Sequence, residues 1–214
     1  MHQGRLFVLS GPSGAGKGTI CDRIVEDGSA QLSISMTTRA IRGKEIPDVS
    51  YYFVSDEQFD KTIEEGGFLE YAGIYGHRYG TPKEPVLKAM EEGKDVILEI
   101  EMQGACQVKK NYSDAVLIFV LPPSLKVLRE RLEKRNSDSP EQIIKRTEAT
   151  LSEIHRINEY DYFVINGELD EAVGIVKNIM KAVHGDEDAA KLVKKNKVGK
   201  AALKMIKKYD EEAK

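Results

Sequence analysis

Residues 11–17 read GPSGAGK, and they stand directly between a short apolar run at 5–9 (RLFVL) and a stretch from 18 to about 26 that reads as helix. Gly11, Pro12, Ser13, Gly14, Ala15 and Gly16 supply a backbone free enough to wrap, with successive N–H groups turned inward on phosphate oxygens. The helix that follows adds the positive end of its dipole. Lys17 then brings a full charge to the β- and γ-phosphates of a nucleoside triphosphate. Strand, loop and helix in this order separate a phosphate-binding loop from an ordinary glycine-rich turn. The next residue is Gly18, where a hydroxyl often reaches a magnesium ion, and Thr19 follows it. The pattern therefore predicts a triphosphate site whose metal is held in some other way, with Mg2+ still expected to neutralise the triphosphate.

Arg39 and Arg42 lie three apart in a segment rich in Tyr, Gly, Thr and Arg. Singly, each suits a solvated surface, although the planar fork of arginine also matches phosphate oxygens. Five segments around the loop and this pair fall in a shared order: GPSGAGKGT at 11–19, SMTTRAIR at 35–42, FLEYA at 68–72, YGTP at 79–82 and EIEMQGA at 99–105. Arg131, Arg135 and Arg146 continue the series, and VING at 164–167 closes it. The set resembles the guanylate kinase family of P-loop nucleoside monophosphate kinases over roughly residues 5–184.

That resemblance implies transfer of the γ-phosphoryl group of ATP to GMP or dGMP, giving GDP and ADP. It assigns ATP to residues 11–19 and Asn166. It assigns the GMP phosphate to Arg39, Arg42, Tyr51 and Tyr79, and the base to Glu70, Ser35 and Thr81, with Glu101 at the base or metal end. Lys17, Arg131, Arg135 and Arg146 are the implied catalytic cations. The chemistry is consistent with these types. The acceptor is itself largely dianionic near pH 7, its second pKa being about 6. It needs cations, and no general base. Guanine offers N1–H and its N2 amine as donors, so a carboxylate reads it, and leaving that carboxylate unpaired against adenine costs roughly 10⁴-fold in selectivity. Glu99, two residues before Glu101, stands as an organiser of magnesium-bound water or as a structural carboxylate. Arg131 and Arg135, four apart, share one helix face; the spacing fits a solvated face, the resemblance a lid. Asn166 precedes Gly167, and the pair also suits a plain turn.

The elements that must position these residues are legible as alternation. Apolar runs at 5–9, 96–100 (VILEI), 115–121 (AVLIFVL) and 162–165 (YFVI) suit buried parallel strands. Between them, Ser124 caps a helix with Leu125, Leu128 and Leu132 on one side, and Ser139-Pro140 opens another with Gln142 three residues after its cap. Ala172, Val176, Ile179 and Val183 fall at helical spacing. The expected fold is α/β, a P-loop three-layer α/β/α core with a parallel sheet. The core takes residues 1–33 and 94–184, with a helical lid at about 126–148; residues 34–93 form an inserted GMP-binding subdomain.

The 214 residues carry a net charge of -3, with no stretch near the roughly 18 apolar residues of a membrane helix. Nucleic acid and membrane are not expected as partners. Cys21 and Cys106 show no metal spacing and are read as small buried side chains, and His2, His77, His155 and His184 are scattered. Met1 leads into the first strand without a cationic, apolar leader, so a cytoplasmic location is expected. Residues 185–214 form a distinct tail. Between 189 and 208 it has eight lysines and no acidic residue, with Val198, Ala201, Ala202, Met205, Ile206 and Tyr209 on one helical stripe. Such a helix either docks on the domain or receives a partner. A kinase for another phosphate acceptor and a non-catalytic phosphopeptide-binding relative are the rivals; neither explains the loop, the arginines and the base readers together.

Overall fold

The apolar run near the N-terminus becomes β1 (Leu6–Ser10), buried along its whole length. Both of its faces need cover, and both have it. Leu6 and Val8 join one apolar cluster, while Phe7 and Leu9 join another on the opposite side of the sheet. The computed structural model describes residues 3–43, 45–74, 76–134 and 139–213.

β1 lies at the centre of a five-stranded parallel sheet in which β2 (Gln31–Leu32) and β7 (Val96–Glu99) stand on one side, β8 (Val116–Leu121) and β9 (Tyr162–Ile165) on the other. Leu6 pairs with Val96, Phe7 with Val116 and Ile118 with Tyr162, so the carboxyl ends of β1, β7 and β8 emerge together. A ligand site forms where such strands end. α1 (Lys17–Glu26) and α7 (Leu169–Val183) cover one face through Ile20, Ile24, Ala172, Val176 and Ile179. α3 (Lys83–Glu91), α4 (Met102–Asn111), α5 (Leu125–Lys134) and α6 (Pro140–Ile154) cover the other. The chain is a three-layer α/β/α fold of the P-loop type.

The helix starts follow the expected chemistry. The Ser124 hydroxyl accepts from Val127 N at 3.1 Å. Ser139 and Gln142 close a reciprocal cap on α6, with Pro140 in its first turn. Residues 34–82 form a separate small sheet in the order β4 (Tyr52–Phe53), β3 (Met36–Thr37), β6 (His77–Pro82), β5 (Phe68–Ile74). β5 and β6 are antiparallel, as are β3 and β6, whereas β3 and β4 run parallel. α2 (Asp56–Glu64) packs Phe59 against Phe68, with ring centroids 4.6 Å apart. α3 follows this sheet, yet its Val86, Ala89 and Met90 belong to the main core.

β5 is an edge strand, and α4 covers that edge with side chains. Gln107 donates to Tyr71 O at 3.0 Å and accepts from Tyr71 N at 3.2 Å, while Asn111 donates to Leu69 O at 2.9 Å. Edge groups left unpaired invite the wrong partner.

Candidate active site

The loop after β1 holds three glycines at positive φ, Gly11, Gly14 and Gly16. Gly11 has φ 138° and a Cβ there would lie 2.2 Å from Val120 O; Gly16 has φ 87° and its Cβ would lie 2.3 Å from Asn166 Nδ2. Larger side chains would push the loop off β8 and off Asn166. Asn166 Nδ2 donates to Ala15 O at 2.8 Å, so this side chain, assigned to ATP by the resemblance, also holds the loop. Lys17 opens α1 and folds back on the loop, donating to Gly11 O at 2.6 Å and Pro12 O at 3.1 Å. Burial lowers its pKa, and Glu99, Glu153 and Glu101 oppose that shift.

Two arginines reach the same place from α5 and α6. Arg146 Nη1 donates to Ser13 Oγ at 2.6 Å. Arg131 Nη2 donates to Asn166 O at 2.9 Å, and its buried Nη1 has no hydrogen-bond partner among the described residues. Leu128 and Leu132 on the same helix lie against Gly14, where an added Cβ would come within 2.9 Å of Leu128. Arg135 lies outside the described residues. The cleft over the loop has a volume of about 620 Å³, and Thr19, Asp22, Glu99, Glu101, Arg146 and Glu153 are among the residues that line it. Gly18 faces Glu99, a Cβ there lying 3.2 Å from Glu99 Oε2.

The second cluster is built by the small sheet. Arg39 is 6% exposed, unusual for a residue with five N–H donors to satisfy. Its Nη1 and Nη2 meet both oxygens of Glu45, at 2.9 and 2.7 Å, and its Nε donates to the Tyr79 hydroxyl at 3.1 Å. The guanidinium also stands 5.3 Å from the Tyr51 ring centroid and 5.8 Å from that of Phe53. Arg42 is exposed, and its backbone N–H donates to the same Glu45 carboxylate at 2.8 Å. The Arg39 side chain holds the Glu45 carboxyl below its ordinary range.

On β5, Glu70 is buried and accepts a hydrogen bond from Thr81 Oγ1 of β6 at 2.7 Å. Burial raises its pKa, the Thr81 contact opposes the shift, and Glu101 adds to it. Glu101 directly precedes α4, without a side-chain capping hydrogen bond, and lines the phosphate-loop cleft. Ser35, just before β3, is half-buried and its carbonyl accepts from Tyr52 N at 2.9 Å.

The structure thus gathers Lys17, Arg131, Arg146, Asn166, Glu99 and Glu101 around one loop, and Arg39, Tyr51, Tyr79, Glu70 and Thr81 on one small sheet. Two carboxylates escaped the sequence reading. Glu45 lies three residues after Arg42, in a loop whose partners no period reveals. Glu153 lies seven after Arg146, hence on the same face of α6, and that spacing was a usable signal. Burial raises the Glu153 pKa, and its Oε2 has no hydrogen-bond partner among the described residues. Among the described residues, no group of three or more His, Cys, Asp or Glu is arranged to hold a metal, and no helix is long and apolar enough to cross a membrane. Cys21 is buried as expected, but Cys106 is only half-buried, its thiol 2.9 Å from Glu159 Oε2.

Comparison with known proteins places this geometry in context. The sequence model of one family, guanylate kinase, matches residues 3–183. A guanylate kinase of Caldanaerobacter subterraneus subsp. tengcongensis is 50% identical over 181 residues, covering 84% of this chain and 88% of that protein. One from Clostridioides difficile is 43% identical over 213 residues, covering 99% and 98%, and so extends through the tail. The crystal structure of guanylate kinase from Anaplasma phagocytophilum has a TM-score of 0.67 at 31% identity, covering 85% of this chain and 86% of that one.

Proposed function

The chain belongs to the guanylate kinase family and phosphorylates GMP with ATP, and we propose that the two clusters divide this reaction between donor and acceptor. ATP lies along residues 11–19, with the loop N–H groups around its phosphates. Lys17 exchanges its two carbonyl partners for β- and γ-phosphate oxygens. Arg146 and Arg131, joined by Arg135, reach the transferring group from the α5–α6 hairpin, which serves as the lid. Charge grows there in the transition state, so fixed cations lower the barrier most.

The residues fit magnesium in one respect. Gly18 offers no hydroxyl, and Glu99 is the carboxylate packed beside it, so triphosphate oxygens, water and Glu99 would hold the ion. When bound, it neutralises phosphate charge.

GMP takes the second cluster. Arg39, Arg42, Tyr51 and Tyr79 hold its phosphate, which attacks the γ-phosphorus directly. The bond from γ-phosphorus to the β,γ-bridging oxygen breaks, and that oxygen leaves with ADP. Glu70 accepts from guanine N1–H and the N2 amine. Thr81 has one proton and gives it to Glu70, so it orients the reader; Ser35 is then the hydroxyl for guanine O6 or N7. Glu101 stands where the two sites meet. The location this reading implies is the cytoplasm, since both substrates are nucleotides of the cell interior.

The observation that carries the acceptor assignment is the buried Glu70 carboxylate aligned by Thr81. Its test is an ATP-dependent transfer assay with GMP, AMP and dTMP in parallel. GMP is expected to exceed AMP by about 10³-fold or more in kcat/KM, and faster turnover of AMP would sink the role given to Glu70.

A further inference from the structure

The chain beyond residue 184 contributes to neither cluster, and it docks. After α8 (Glu187–Leu192), Asn196 Nδ2 donates to Phe163 O at 3.1 Å and Val198 N to Asp161 O at 3.1 Å, while Lys197 bridges Tyr162 antiparallel. This covers the open edge of β9. α9 (Lys200–Glu212) then buries Ala202 and Tyr209 in the cluster that contains Leu125, Leu128, Leu132 and Ile143, with Val198, Ala201, Met205 and Ile206 packed beside them. Burial of that stripe accounts for attachment. It does not account for where the polar contacts fall.

Those contacts converge on the two roots of the α5–α6 hairpin. At the entry, the Tyr209 hydroxyl donates to Pro122 O, Lys208 Nζ donates to Pro123 O at 2.7 Å, and Glu212 Oε2 accepts from Leu125 N at 2.9 Å. Leu125 N is one of the first-turn donors that a helix cannot satisfy internally, so Glu212 caps α5 from outside. At the exit, Asp210 Oδ1 lies 2.8 Å from Nε2 of His155, the residue that ends α6. One short stretch of helix thus holds both ends of the segment that carries Arg131 and Arg146.

We infer that α9 is a clamp on the hairpin roots, and that Tyr209, Asp210 and Glu212 are positioning residues for the transfer step. The inference rests on the lid role given to the hairpin under the proposed function. Leverage makes the roots matter. Arg146 lies about 13 Å along α6 from its C-terminal end, at 1.5 Å per residue. A tilt of about 10° at the root therefore moves it roughly 2 Å, more than a hydrogen bond tolerates. A displacement of about 1 Å at a reacting group already costs up to about 10²-fold. Without the clamp, closure still occurs, but less often with the arginines in register and water excluded.

The test is the triple variant Tyr209→Phe, Asp210→Ala, Glu212→Ala, which keeps the buried ring of Tyr209. The readouts are kcat, KM for each substrate, thermal unfolding, and ATP hydrolysed per GDP formed. The expected result is a fall in kcat of about tenfold with KM for GMP changed less than about twofold. ATP lost to water should rise, and cooperative unfolding should persist. An unchanged kcat and coupling ratio would overturn the inference. Should the triple variant fail to fold, the exposed Glu212→Ala alone takes its place, expected to lower kcat about threefold by the loss of one hydrogen bond; an unchanged rate there is equally fatal. Arg146→Met separates the two readings. If it keeps full activity, the lid role itself falls; if it loses kcat while the clamp variant does not, the clamp alone is wrong.

Discussion

At the phosphate loop, the half-buried cation Lys17 rests against two neutral carbonyls, Gly11 O and Pro12 O. At the acceptor cluster, Arg39 rests in a two-pronged contact with a carboxylate, Glu45. The two regions differ in what an incoming phosphate must displace. On the donor side it displaces dipoles, and the carboxylates around Lys17 act at longer range. On the acceptor side, under the proposed assignment, it displaces an anion from the fork that it then occupies. The donor loop therefore holds its lysine on dipoles within a cleft that carboxylates also line, whereas the acceptor cluster pairs its arginine fork directly with a carboxylate. A compensated fork resists filling by any passing anion, at the cost of some affinity for the right one.

The largest effect that would break this contrast is at Lys17. Lys17→Met is expected to lower kcat by about 10³-fold or more, while GMP binding measured by calorimetry stays within about threefold. Full activity would remove the donor loop from the argument.

Glu70→Gln should come next, costing about 10²-fold in kcat/KM for GMP and narrowing its preference over AMP. It also carries a pH signature. Burial raises the Glu70 pKa, and under the proposed assignment it is the ionised form that reads guanine. GMP affinity should thus be present above that raised value and lost as pH falls through it, in addition to protonation of the GMP phosphate near pH 6. The Gln variant keeps only the second component. Identical pH profiles for the two proteins would refute the ionised reader.

The smallest effect sharpens the contrast most. Glu45→Gln leaves the Arg39 fork without its anion, and it should lower KM for GMP about two- to fivefold and increase inhibition by inorganic phosphate. Weaker GMP binding would show instead that Glu45 aligns the fork and does not compete for it.

The parts legible in the sequence were those with a repeating or local physical cause. The alternation of β1, β7, β8 and β9 with amphipathic helices follows from apolar periods, and the starts of α5 and α6 from Ser124 and the Ser139–Gln142 pair. The phosphate loop was legible because its glycines are forced by close approach to Val120 O and Asn166. What was not legible has no period. β2, β3 and β4 are two residues long, too short for alternation to register. Glu45 pairs with Arg39 through loop geometry, and the tail's stripe says that it docks without saying on what. Asn166 illustrates a third case, in which the sequence points to the residue but not to the bond its amide makes to the loop.

The seam between α4 and β5 has a consequence for engineering. The proposed base pocket is not confined to the small sheet: Gln107 and Asn111 of α4 satisfy the backbone of β5, and a Cβ at Gly104 of the same helix would sit 2.7 Å from Glu70 Oε2. The small sheet is thus not a cassette to be exchanged whole for one that reads another base. Grafting it without α4 would strip an edge of its hydrogen bonds, and any graft onto a helix lacking glycine at 104 would wedge the reader out of place. Altered nucleobase choice on this scaffold has to be drafted on α4 and β5 at once.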